Sequence, residues 1–385
     1  MIRNRNHFIM RHPNAVISRV LVFYAVLAAA GATSAQSDFR FKHPGLLHSR
    51  ISLDVMRQNV ESGKEPSVAA FEKFRIDPNA SFNYRMRGPF ETVSRNPAHK
   101  AFEADGDFKA AYYNAVMWTI TGDRRHAEKS REILDAYSEH FKGYRDDDKD
   151  KQLTASLGPF LLINAAEIIR YTDSGWPEEN AVRFEKLLKE RIRPVLWDFA
   201  VFANGNWDTA CIKTLLAIGV YCNDEETYKH AENYYRNGKG NGSLTHYVVN
   251  ASGQCQESGR DQQHAQLGLG HLAEAAEIAF HQGGSLYEAD DNRLLAGFEY
   301  TAKYCLGDDV PFVQHIDTTG KYKHKSISDK GRALRPIYEM VWNHYGRRKH
   351  LTSPHVEKAV KKLRPEGRMG NADHPGYGTL LFYVP

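Results

Sequence analysis

The sequence predicts an all-α fold, an α/α toroid built from helical hairpins, and two observations carry that expectation. Apolar helical segments alternate with amphipathic ones, joined by short Gly/Asp or Asn/Asp turns that supply the next N-cap. Long irregular stretches at 78–106, 143–153, 238–259 and 306–330, rich in Gly, Asn, His and aromatics, interrupt these hairpins. An open solenoid keeps a short, near-constant period, so the interruptions favour a closed ring, an incomplete barrel with long functional loops.

Each element follows from its own stretch of chain. "DFKAAYYNAVMWTIT" reads as an apolar helix and "GDRRHAEKSREILDAYSEHF" as its amphipathic partner. "NWDTACIKTLLAIGVYC" and "NDEETYKHAENYYRNG" repeat the arrangement. Helices also fit 154–171, 178–197, 260–282, 287–305, 331–345 and 354–363, with few period-two runs between them to suggest strands. The charge run "YRDDDKDKQ" at 144–152 is expected to be a solvated connection.

Arg3, Arg5, Arg11 and Arg19 precede the apolar run "VLVFYAVLAAAGA", which leads into "TSAQ" with Thr33 and Ala35 as small residues. This pattern predicts a signal peptide over 1–35, leaving a mature chain over 36–385 read as a single domain, exported to a periplasm or beyond and free of the membrane after cleavage. Removing 1–35 takes away four arginines and no acid, which leaves 47 basic residues against 47 acidic. The global polycation that nucleic-acid binding would require is therefore missing. Charge is uneven, however: residues 320–368 hold fourteen Lys/Arg and four Asp/Glu, a place where a polyanion can be met. Cys211 and Cys222 lie too far apart along one helix to bridge, whereas Cys255 and Cys305 can pair across the fold. With neither CxxC nor HExxH present, no metal or other cofactor is expected.

Three stretches carry residue types suited to chemistry. In "NGNWDTACIKTLLAIGV", Asn204, Asn206 and Trp207 stand at a helix start, where N–H groups and side-chain amides can face an anion. In "GQCQESGRDQQHAQLGLGHLAEAAEIA", Gln256, Glu257, Arg260, Asp261, His264 and His271 recur at three- and four-residue intervals and form a polar stripe. The third stretch is "RPIYEMVWNHYGRR", inside the basic region. Ordinary capping and solvation explain each one alone.

Taken in order over most of the mature chain, "HPGLLHSRISLDVMRQNV", "AVMWTITGD", "NGNWD", "GQCQESGRDQQHAQLGLG", "GFEYTAKYCLGDDVPF" and "WNHYGRR" resemble the alginate lyase domain family of polysaccharide lyases. The resemblance implies an α/α toroid with a groove for an anionic polysaccharide, and β-elimination at a uronic acid. Such an enzyme must neutralise the uronate carboxylate, take the C5 proton and protonate the departing O4. Asn206, Gln256 and Arg260 are the expected neutralisers, His264 the base and Tyr345 the acid, with Tyr300 the second choice. Glu257 is expected to orient Arg260, and Asn204, Trp207, Tyr304, Phe298 and His344 to contact sugar. Some relatives carry consecutive Asn and His where this chain reads Asn-Gly-Asn-Trp, so one Tyr serving as both base and acid stays open.

Three other readings compete. Glu257, Asp261 and His264 share a face that a distant loop can complete into a metal site. Glu257 and Asp208 are the available carboxylates for a glycoside hydrolase on a similar toroid. An exported glycan-binding protein without catalysis uses the same aromatics and basic region. Glucuronan or another polyuronate is the alternative substrate.

Overall fold

In the computed structural model, residues 39–385 are described, and residues 40–385 make one compact unit. The expected leader lies outside the described residues. Helices α1 (Arg50–Glu61) and α2 (Ser67–Arg75) come first, followed by a long loop into the hairpin of α3 (Ala101–Thr121) and α4 (Arg124–His140). Then come α5 (Lys151–Ser156), α6 (Gly158–Arg170), α7 (Glu178–Leu187) and, past a π turn, α8 (Arg193–Leu196). The central hairpin is α9 (Gly205–Tyr221) and α10 (Glu225–Asn237), and the single turn α11 (Leu244–Tyr247) leads to α12 (Gln262–His281) and α13 (Ala289–Cys305). The chain ends with α14 (Tyr338–Trp342), α15 (Pro354–Leu363) and α16 (Gly378–Phe382).

The helices form a toroid. On the inner wall α3 packs on α6, α6 on α9, α9 on α12 and α12 on α14; α16, α1 and α2 then close the circuit back to α3. The inner helices α6, α9 and α12 are buried along almost their whole length, and charged side chains buried with them, such as Lys213 and Glu274, are paired. The outer helices α4, α10 and α15 bury one stripe each. Turn chemistry fixes the hairpins: Gly122 takes the left-handed conformation (φ 67°) that ends α3, and the Asp123 carboxylate accepts the Arg125 N–H at 3.1 Å to start α4.

Several elements depart from the expectation, each for a local reason. The 154–171 helix breaks at Leu157 because Pro159 sits in the first turn of α6. The 331–345 helix starts only at Tyr338, after Pro336, and ends in a π turn over 343–348. In the expected 287–305 helix, Asp290, Asp291 and Asn292 hold φ of 49°, 56° and 59°, so the regular right-handed run begins only afterwards. The 144–152 connection is not simply solvated. Asp148 is buried and accepts from Arg95 N, Asn96 N and Thr154 Oγ1 at 3.3, 3.2 and 2.9 Å, stapling two loops beside a short parallel pairing of Thr92–Val93 with Gly143–Tyr144.

The segment 366–376 enters the centre of the ring and is held there by inner-wall side chains. Tyr113 OH donates to Pro375 O at 2.6 Å and Lys213 Nζ to Asp373 O at 2.7 Å, while Lys109 Nζ donates to Met369 O at 2.9 Å and Asn371 O at 2.5 Å. A buried ammonium needs such acceptors, and Lys213 also pairs with Glu274 at 2.6 Å.

Candidate functional site

The first turn of α9 meets the polar stripe directly. Asn204, the N-cap, makes no side-chain cap, and the loop before α12 supplies one instead. Gln256 Oε1 accepts the Gly205 N–H at 3.2 Å, and Glu257 Oε1 accepts both the N–H and the Nδ2 of Asn206, each at 2.7 Å. The helix N-terminus therefore already faces an anion, the resident carboxylate of Glu257. Asn206 is buried and committed to Glu257, and behind it His271 places Nδ1 3.2 Å from Asn206 O and Nε2 3.2 Å from Asp373 O. Burial holds the His271 imidazole well below its usual pKa, with the nearby Lys213 and His374 pushing the same way, so it is a neutral strut.

The other oxygen of Glu257 accepts Arg260 Nη1 at 2.9 Å, as the i,i+3 spacing predicts, and leaves the Arg260 side chain 31% exposed. Asp261 starts α12 by accepting the His264 N–H at 2.8 Å and also holds His264 Nδ1 at 2.7 Å. Burial resists ionisation of Asp261, but the His264 amide and imidazole and the Arg260 charge together keep its carboxyl below the usual range. A carboxylate on Nδ1 sets the tautomer in which Nε2 is the acceptor, and the His264 side chain is 32% exposed. A cation and an imidazole, each aimed by its own carboxylate, thus stand within one turn of each other.

The loop between α13 and α14 crosses over this pair. Asn241 donates to Ala203 O at 2.9 Å and to Asp317 Oδ2 at 2.7 Å, and accepts from Thr318 N at 3.0 Å. Lys321 Nζ reaches Phe202 O at 3.2 Å; further on, Ser328 N donates to Ser258 O at 3.0 Å and Gln262 N to Lys330 O at 2.8 Å. Tyr322, half-buried, lies between these two docking points along the chain, its backbone N–H donating to Asp317 Oδ1 at 3.1 Å. Arg335 follows. Its Nη1 rests 3.3 Å from Met369 Sδ, and among the described residues no carboxylate pairs with it. Burial lowers its pKa against the pull of Asp373 and Asp261. Trp207 is partly exposed and meets the 47% exposed Phe202 edge-on, 6.3 Å between centroids, which makes an aromatic wall. Tyr322 and Phe202 lie in irregular chain with no periodicity to mark them, whereas Arg335 opens the third stretch that the sequence singles out.

Other expected site residues lie elsewhere. Tyr345 is fully buried and donates to Tyr287 O at 2.6 Å. Tyr287 in turn bonds Glu277, about 20 Å along α12 from His264 at helix rise. Tyr345 is therefore out of reach of the Arg260–His264 turn. His344 is equally buried, stacked on Tyr287 at 3.8 Å, and offers no exposed face to a sugar. Tyr300 uses its hydroxyl to hold Pro311 O at 2.7 Å, Tyr304 lies under Arg332 at 3.9 Å, and Phe298 is core. The hydrolase pair fails as well. Asp208 is buried, accepting from Ala200 N, Gly242 N and Tyr234 OH at 2.9, 2.8 and 3.0 Å, and both oxygens of Glu257 are occupied. Among the described residues no cluster of His, Cys, Asp and Glu is arranged to hold a metal ion, and all four cysteines, Cys255 and Cys305 included, are free thiols.

A toroid whose inner wall opens on a cationic, aromatic-lined site with a carboxylate-aimed imidazole is built for an anionic carbohydrate. The comparisons with known proteins agree. Residues 56–312 match the family model described as alginate lyase, and the chain belongs to that family of polysaccharide lyases. Among solved structures it is similar to alginate lyase A1-III from Sphingomonas species A1, at 15% identity over 86% of this chain and 95% of that one, with a TM-score of 0.62. It is also similar to an alginate lyase from Bacteroides ovatus, at 11% identity over 89% and 100% of the two chains, with a TM-score of 0.56. A variant of A1-III complexed with a tetrasaccharide matches at 14% identity over 86% and 94%, with a TM-score of 0.59. No curated protein matches the chain.

Proposed function

We propose that this enzyme cleaves alginate, preferentially in mannuronate-rich stretches, by β-elimination at the turn that carries Arg260 and His264. The observation that carries the reading is the paired aiming of those two side chains by Glu257 and Asp261. Arg260, with Arg335 beyond Asp261, neutralises the carboxylate of the uronate to be cleaved, so that charge developing as C5 loses its proton is stabilised. His264 Nε2 takes that proton, the C4–O4 bond breaks as the C4–C5 double bond forms, and the Tyr322 hydroxyl returns a proton to O4. Asn206 and Gln256 fix the start of α9 rather than touch the carboxylate. Family membership and the relative seen with a tetrasaccharide support an acidic glycan chain. Export by the leader over 1–35 belongs to the same proposal, since that substrate lies outside the cell; recovery of the uncleaved chain from cytoplasm would refute it.

Polymannuronate, polyguluronate, glucuronan and hyaluronan, each incubated with the mature chain, provide the test. Ultraviolet absorbance of the conjugated double bond is expected to rise fastest on polymannuronate. New reducing ends without that absorbance, or binding without any product, would overturn the lyase assignment. A larger rate on glucuronan would replace the substrate and leave the chemistry standing.

A further inference from the structure

The inner wall holds a second cationic recess that the elimination does not use. It is a cavity of about 190 Å³ between the loop before α3, the start of α3 and the central segment, lined by Arg87, Phe102, Asp105, Lys109 and Arg368 among others. Lys109 is buried, and two of its three N–H donors are taken by Met369 O and Asn371 O. Arg368 is tethered from one side, with Nη2 3.0 Å from Asn79 Oδ1 and Nε 3.4 Å from Asp77 Oδ2, yet remains nearly half exposed. Arg87 is fixed through its backbone N–H, 2.9 Å from Asp107 Oδ1. The acid within the recess, Asp105, is engaged by Arg95 at 2.8 Å. Phe102 presents an exposed ring next to these cations and carries the Arg95 guanidinium 4.8 Å from its centroid.

We propose that this recess is a second carboxylate subsite, which seats a uronate of the same polymer whose cleavage occurs at His264. The proposal rests on the function proposed above. The recess joins the reaction centre through a short piece of chain. Asn371 O is held by Lys109 in the recess, while two residues on, at most about 7 Å away, Asp373 O is held by Lys213 and faces His271 behind Asn206. Arg335, on Met369, stands over the same segment. A polyuronate bears a carboxylate on every sugar, so a chain bound at Arg260 must carry further anions past Arg335, and a ring face over Phe102 with its carboxylate toward Arg87, Lys109 and Arg368 satisfies both chemistries.

The test is a chain-length series. Initial rates of unsaturated product are measured on mannuronate oligomers from the shortest cleaved upward and on polymer. The wild type is compared with Arg87→Gln, Arg368→Gln and, as a control, Arg57→Gln on α1, which lines a separate cavity beside the opposite end of α3, with thermal midpoints to verify folding. Both recess variants are expected to raise KM on long substrates roughly tenfold, one charge-assisted contact each, with kcat and the rate on the shortest substrate unchanged. The control should match the wild type. Wild-type KM at every length in both variants would remove the subsite and leave the lyase assignment intact, and an equal loss of kcat on the shortest substrate would also remove it. If the wild type yields no unsaturated product from any uronate, the functional reading falls and the subsite falls with it.

Discussion

Glu257 shows how one residue governs the site. It caps α9, orients Asn206 and aims Arg260, and none of these contacts survives replacement by alanine. Glu257→Ala should destabilise the fold by about 1–3 kcal/mol, because Asn206 loses its acceptor in a buried place. Glu257→Gln should stay folded, yet lose kcat through a misdirected Arg260; thermal melts and steady-state rates separate the two effects. The tyrosines provide the sharper contrast. Tyr322→Phe should lower kcat by roughly 10²–10⁴-fold, the range of general acid–base contributions. Tyr345→Phe should leave kcat alone and cost about 1 kcal/mol of stability, the bond to Tyr287 O. The reverse pattern would restore Tyr345 as the acid. Arg260, Asp261 and His264 were legible because their spacing on one turn creates the geometry. Tyr322, the acid of the proposed mechanism, had no such signal, since its loop is tied to the rest of the site region only by contacts distant in sequence.

Among the elements, the loop between α13 and α14 depends most on a single connector. Asn241 is buried and ties that loop to the strip leading into α9. Asn241→Ala should therefore speed hydrogen exchange over 312–330 and reduce the elimination rate, with the inner helices keeping their protection. Unchanged exchange in that loop would show that its other contacts suffice. The hairpins themselves were readable, because an apolar helix followed by a turn and an amphipathic one is a pattern local to some forty residues or fewer. Breaks at Leu157 and before Tyr338 follow from Pro159 and Pro336, which are local signals too, whereas the role of Asp148 requires knowing that 95–96 lies across from it. Long loops hide their function because their partners lie elsewhere in the chain.

At the scale of the whole molecule, buried titratable groups set the dependence of stability on pH. Burial pushes His48 down to about 3 and His344 to about 4, against 6.5 in the unfolded chain, so the unfolded state binds more protons in that interval and stability falls on acidification below 6.5. Glu366 runs the other way. Burial and then the charge of Glu339 raise it from 4.5 to about 8, so the folded state holds the extra proton and stability declines as pH rises from 4.5 to 8. Glu366→Gln should leave the thermal midpoint unchanged near pH 5 and raise it at pH 8; parallel profiles for the two proteins would contradict this assignment.

The central segment 366–376 gives the toroid something a plain ring of hairpins lacks, a keystone. It touches α3 through Lys109 and Tyr113, α9 through Lys213 and α12 through His271, yet it follows all three in the chain. During synthesis the wall helices must wait, with Lys109 and Lys213 short of their carbonyl acceptors, until this stretch has emerged. The floor beneath Asn206, where Asp373 O faces His271, is thus a part of the wall that only this late stretch of chain can complete.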